Sequence, residues 1–186
     1  MTDTWETATV DPEPLRATAR RHRAGFGGAS ALTAAVAVAL VLTGVIWPGE
    51  TGAFLSALAG YPLDQPKGWQ SLALVAIMLT SLGAYAAVFL AAARVSGWLL
   101  TGDAERAGAT ARTLSHWLWA MLIWSIASQT LATLVATAEN APGERVLSFT
   151  LNASQAPIAI AAVVAAFLAR ALALGAALWR DHREII

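Results

Sequence analysis

The chain contains no cysteine, which excludes disulfides, thiolate nucleophiles and thiolate metal sites. Charge is scarce: 13% of the residues are Asp, Glu, Lys or Arg, about half the roughly 25% of an ordinary globular domain. The formal net charge is +0, so the basic balance that marks nucleic-acid binders is missing and no nucleic acid is expected as a partner. Histidine is nearly absent as well, with only His22, His116 and His182. A bis-imidazole haem needs two histidines at one depth on facing helices, and only His116 touches an apolar run. No HExxH motif occurs, and Gly25, Gly27 and Gly28 do not follow a strand, so zinc-hydrolase and nucleotide-loop chemistry have no support. No catalytic residue, metal or cofactor is therefore expected.

What the chain has in abundance is apolar length. Of 186 residues, 57% are hydrophobic. They gather in four runs, at about 30–47, 70–93, 114–138 and 155–179, of 18 to 25 residues each. At about 1.5 Å per helical residue these reach roughly 27 to 37 Å, enough for a bilayer core of about 30 Å. No Asp or Glu lies inside any run. The expected fold is all-α: a polytopic membrane protein with a four-transmembrane-helix bundle, the lipid bilayer being its first partner.

The basic residues give the runs a direction. Arg16, Arg20, Arg21, Arg23, Arg94, Arg106, Arg112, Arg170, Arg180 and Arg183 make ten on one side, against Lys67 and Arg145 on the other. Cytoplasmic flanks carry the Lys/Arg excess, so both termini and the central connection are expected in the cytoplasm. Trp47 and Trp69 bracket the first outer loop, and Trp98, Trp117, Trp119 and Trp179 gather at inner helix ends, as interfacial tryptophans do. Ala57-Leu58-Ala59 before Gly60 has the form of a leader cleavage site, but the first run is long for a leader and an uncleaved first span is expected.

The connections differ in character. Residues 1–29 read as a cytoplasmic segment, with a short basic helix at 11–25 lying along the membrane surface. The outer loop 48–68 has Pro48, Pro62 and Pro66 as breakers, and its middle, GAFLSALAG, is apolar enough to dip into the interface. Asp103 is placed to cap a helix that runs straight into the third span. In the outer loop 139–154, Leu147, Phe149 and Leu151 alternate with Ser148, Thr150 and Asn152, an extended pattern. Asn152-Ala153-Ser154 also matches a glycosylation sequon, a weak signal at three residues.

Two features inside the spans carry the candidate chemistry. Ser125, Gln129, Thr133 and Thr137 recur every four residues and form a polar stripe on the third span. Such a stripe serves either interhelical hydrogen bonding or a solute path. Arg170 is the one charge within a span, and it either snorkels to the headgroups or binds an anion in the bundle. Small residues form ridges for close helix packing: Gly83, Ala87 and Ala91 on the second span, and Ala161, Ala165, Ala169, Ala173 and Ala177 on the fourth.

Three segments together resemble a known family: the connection TGDAERAGATARTLSHWLWAML, the outer segment PGERVLSFTLNAS and the tail LGAALWRDHREII. They are similar to the bacterial domain-of-unknown-function family 2975, small four-span membrane proteins, over about half the chain. Members often carry a Phe-Ser pair where this chain has Gly102 and Asp103. The resemblance implies a bacterial inner-membrane location and carries over no site residue. Its members' position beside small helix-turn-helix regulators implies a regulatory role. The expected function is thus non-enzymatic, through contacts with lipid, a protein partner or a second copy. The alternative is an oligomeric transporter or channel subunit using Arg170, Ser125, Gln129 and Thr133.

Overall fold

The computed structural model describes residues 12–141, 153 and 155–184. Five helices make up the described chain: α1 (Pro12–Ile46), α2 (Pro48–Leu58), α3 (Gly68–Thr101), α4 (Ala104–Thr137) and α5 (Gln155–Glu184). Four of them, α1, α3, α4 and α5, are long and apolar enough to cross a membrane. The expected all-α class with four such helices is what the structure has.

The helices outrun the apolar runs that announced them. α1 has 35 residues and α3 and α4 have 34 each, about 50 Å at about 1.5 Å per residue. The basic segment is not a separate surface helix. It is the first half of α1, which runs unbroken from Pro12 through Gly25, Gly27 and Gly28 to Ile46. Similarly, the central connection shrinks to two residues. Gly102 closes α3 in the left-handed conformation (φ 75°), and the amide of Asp103 reaches back to the Trp98 carbonyl at 3.1 Å. Asp103 then caps α4 as expected, its carboxylate accepting from the Arg106 amide at 2.9 Å.

The connection 48–68 also holds more structure than its prolines implied. Pro48 does not end a helix; it opens α2, at a position where its missing N–H costs nothing. GAFLSALAG is largely the body of α2, which lays Thr51, Gly52, Leu55 and Ser56 against its neighbours, chiefly α3. Ser56 is fully buried and holds the turn that follows, accepting from the Leu63 amide at 3.0 Å. The alternating segment from Leu147 to Asn152, and the sequon there, lie outside the described residues.

Registers fix the neighbours. Ser30 donates to the Ala86 carbonyl, and Gly44 faces Val75, so α1 runs antiparallel to α3. Trp124 donates to Ser81 and Gln70 to the Val135 carbonyl, so α3 runs antiparallel to α4. Ser115 donates to the Ala162 carbonyl at 3.0 Å, and Gly108 sits against Ala169 and Leu172, so α4 runs antiparallel to α5. The bundle is open. Among the described residues, no Cα of α1 comes within 8 Å of α4 or α5, and none of α3 within 8 Å of α5. The long helices form a row, α1–α3–α4–α5, with α2 seated where α1 ends and α3 begins.

Small side chains make the contacts. Ala162, Ala165 and Ala169 are the buried face of α5, meeting Ala111 and Leu118 of α4. The expected ridge shares only Ala165 and Ala169 with that face; Ala161, Ala173 and Ala177 are exposed, as is Gly83 on α3. Side chains this small let the helix backbones approach closely, and close van der Waals packing of this kind holds the row. The larger apolar side chains point outward: Leu32, Val45, Phe167 and Leu178 are each more than 60% exposed. At the same end Lys67 and the Trp69 indole both bond the Glu139 carboxylate, tying the start of α3 to the end of α4. The Lys67 hydrogen bond, then that of Trp69, holds the Glu139 carboxyl below its ordinary value.

Candidate functional site

The polar stripe of α4 divides in two. Thr133 and Thr137 are buried, and their hydroxyls return to their own helix, donating to the carbonyls of Gln129 and Thr133 at 2.9 Å each. A hydroxyl bonded four residues back is satisfied without a partner helix. Ser125 and Gln129 behave differently. With Ser128 they line a cavity of about 210 Å³ between α3, α4 and the first turn of α5. Ser81, Tyr85, Trp124 and Gln155 complete its polar wall, and Met121 and Ile158 its apolar one. A second cavity of about 160 Å³, lined by Leu55 and Leu58 of α2 and Leu74 and Met78 of α3, shares Ser81, Ser128 and Gln129 with the first. Gln129 therefore stands between the two.

Local structure explains why these groups face inward. The Trp124 indole donates to Ser81 Oγ at 2.9 Å, and Ser81 donates in turn to the Ile77 carbonyl at 3.0 Å. This pair pins α4 against α3 at the cavity's edge. Ser125 and Ser128 donate to the carbonyls of Leu122 and Ser125, leaving their lone pairs toward the cavity they line. Gln155 is the first residue of α5 and is 7% exposed. Its Nε2, like Oε1 of Gln129, is buried with no hydrogen-bond partner among the described residues. One is a donor and the other an acceptor, so the cavity presents both halves of an unmade hydrogen bond. Each buried orphan of this kind costs about 1–3 kcal/mol.

The chemistry available is neutral. Serine hydroxyls, two primary amides, a phenol and an indole line the cavity, and among the described residues no carboxylate, imidazole or guanidinium does. These groups recognise an amide, a hydroxyl or water, or a polar side chain of another helix. Among the described residues no three His, Asp or Glu side chains gather as a metal site. His22 stacks on Phe26 of its own helix, and His116 lies on α4, which α1 does not reach.

Arg170 is not part of this site. It is exposed on α5 next to Ala169, whose carbonyl faces Gly108 of α4. Gln129 lies twenty-one residues farther along α4, about 30 Å away at about 1.5 Å per residue. The structure thus joins Ser125 to Gln129, sets Thr133 aside as a self-bonded core residue, and puts Arg170 at the other end of the row. Sequence periodicity missed Ser81, Tyr85, Trp124 and Gln155, which come from three helices. Only Gln155, a lone amide at the mouth of an apolar run, left a visible mark in the sequence.

No family model matches the chain, and no curated protein and no solved structure matches it either.

Proposed function

We propose that this is a non-enzymatic, multi-pass protein of the bacterial inner membrane that acts by lateral contact with another membrane chain. Four helices of spanning length and the ten-to-two distribution of Lys and Arg support a membrane position with both termini cytoplasmic. The bacterial inner membrane and the regulatory partner rest on the sequence resemblance to family 2975 alone, since no family model matches the chain. The observation that carries the proposal is the open row with an unfinished polar notch. Among the described residues α5 does not return to α1, and the notch between α3, α4 and α5 holds the orphan acceptor of Gln129 and the orphan donor of Gln155. Unsatisfied amides in hydrocarbon are costly, and a polar group on a neighbouring helix relieves that cost.

The test is a photoreactive residue at Ser128, expressed in native membranes. A discrete adduct heavier than the single chain is expected from Ser128, its partner identified by mass. A Ser128 variant that is folded, membrane-inserted and free of any protein adduct would overturn the proposal.

The same cavity favours one other reading, an oligomeric transporter or channel subunit for a neutral polar solute, with Gln129 and Ser125 as its contacts and Arg170 outside it. Unchanged uptake and efflux of a neutral-solute panel in Gln129→Ala would exclude it.

A further inference from the structure

At the basic end of the row, α1 and α3 enclose a different pocket. Gly97 of α3 has no side chain, and Arg23 of α1 lies across the space left: its Nε and Cζ are 3.8 and 3.9 Å from where a Cβ would stand. One turn earlier on α3 stands Arg94. Arg23, Arg94 and Trp98 line a cavity of about 330 Å³, whose apolar wall is Leu90 and Ala93.

The nearby cation is already used and these two are not. Arg106 pairs with Asp103 at 3.2 Å and covers the Trp98 ring, its Cζ 5.1 Å from the centroid. Arg23 and Arg94 have no carboxylate within 4.0 Å among the described side chains. Two guanidiniums on one cavity match the oxygens of a phosphate better than those of any neutral group. A tryptophan beside them sits as aromatic residues sit at headgroup depth. An apolar wall below them suits the start of an acyl chain. The arrangement is that of a headgroup seat, with charge at the mouth and hydrocarbon beneath.

We propose that the α1–α3 groove binds the phosphodiester of an anionic phospholipid, held by Arg23 and Arg94 beside Trp98. The proposal rests on the membrane-spanning reading above. A zwitterionic headgroup brings its own cation toward the two arginines and binds less well.

The experiment uses the full chain in mild detergent, with retained lipid counted by native mass spectrometry for phosphatidylglycerol, phosphatidylcholine and millimolar inorganic phosphate. Phosphatidylglycerol is expected to bind more tightly than phosphatidylcholine, and inorganic phosphate not to displace it. Arg23→Gln and Arg94→Gln should each weaken retention about fivefold, the contribution of one basic residue near an anionic headgroup. Arg112→Gln, an equal loss of charge outside the groove, should leave it unchanged. Gly97→Leu should abolish retention without altering charge, and its melting temperature shows whether the fold survives. Equal weakening by Arg112→Gln, or equal binding of phosphatidylcholine, would overturn the proposal. Displacement by inorganic phosphate would assign the groove to a soluble anion and overturn the lipid. Release of the protein from membranes by alkaline extraction would overturn the spanning reading itself, and this proposal with it.

Discussion

Gly52 is where a single methyl group should matter most. It lies on the buried face of α2, and a Cβ built there falls 2.1 Å from Ser71 Oγ, 2.8 Å from Ser71 Cβ and 2.9 Å from Pro66 Cγ. The hydroxyl can rotate away, but the Ser71 Cβ and the proline ring cannot. Ordinary contact begins at 3.4 Å, so α2 has to lift from α3 by about half an ångström. Overpacking of this kind costs about 1–3 kcal/mol. For a chain of this size that is a melting temperature lower by roughly 2–12 °C. The Leu55–Leu74–Ala132 cluster beneath α2 loosens with it. Gly28, in the middle of α1, gives the opposite case. A Cβ there meets nothing within 4 Å, so Gly28→Ala should gain about 0.5–1 kcal/mol from helix propensity alone. The assay is thermal unfolding of the purified chain in mild detergent, followed by tryptophan fluorescence. Gly52→Ala should fall and Gly28→Ala should rise. Adding Ser71→Ala should rescue only part of the loss, because the Cβ and proline contacts remain. A Gly52→Ala protein that melts at or above the parent would refute the seating of α2 on α3.

Three further outcomes follow from the same contacts. Asp103→Ala removes the cap of α4 and should cost about 1 kcal/mol, seen as a lower melting temperature, with Asp103→Asn close to the parent. Gln129→Leu and Gln155→Leu each replace a buried amide bearing an orphan atom. Each should hold or raise the stability of the isolated chain while weakening the Ser128 photo-adduct; a large loss of stability would mean the amides are satisfied. The Lys67–Glu139 pair makes a pH prediction. The folded carboxyl is held below its ordinary 4.5, so its contribution is present above that value and is lost as pH falls through the lower folded one. The stability advantage of the parent over Glu139→Gln should therefore hold at neutral pH and vanish in acid. Because the pair is exposed, that advantage is small and shrinks further with salt.

The sequence reading succeeded where one physical cause dominated. Apolar run length decided the four long helices, and Asp103 declared its cap because a carboxylate before AERAGA has few other uses. It failed where two elements compete for the same residues. Pro48 reads as a breaker until it is seen to start α2, and the arginines of α1 read as a separate surface helix because clustered basic residues suit anionic headgroups, although the helix continues through the glycines at 25, 27 and 28. The packed helix runs through them at a propensity cost that its contacts with α3 offset. The stripe from Ser125 to Thr137 shows the limit of periodicity. Spacing places four residues on one face, but only tertiary structure separates Gln129, with its orphan oxygen, from Thr133, whose hydroxyl bonds its own helix. Arg170 and Gln129 looked like partners because the sequence carries no height. The α4–α5 register, set by Gly108 against Ala169, puts them about 30 Å apart along the helix axis.

The open row is the claim on which the proposed function depends, and a cysteine-free chain allows it to be measured directly. By the three antiparallel registers, Leu32 of α1 and Ile160 of α5 lie at nearly the same height, and they are 67% and 64% exposed. A double variant, Leu32→Cys with Ile160→Cys, oxidised in native membranes, should form no bond within one chain. A positive control is Gly108→Cys with Leu172→Cys, whose Cβ positions are 3.4 Å apart, close to disulfide geometry, and it should link readily. Efficient intrachain linkage of positions 32 and 160 would close the bundle and contradict the account.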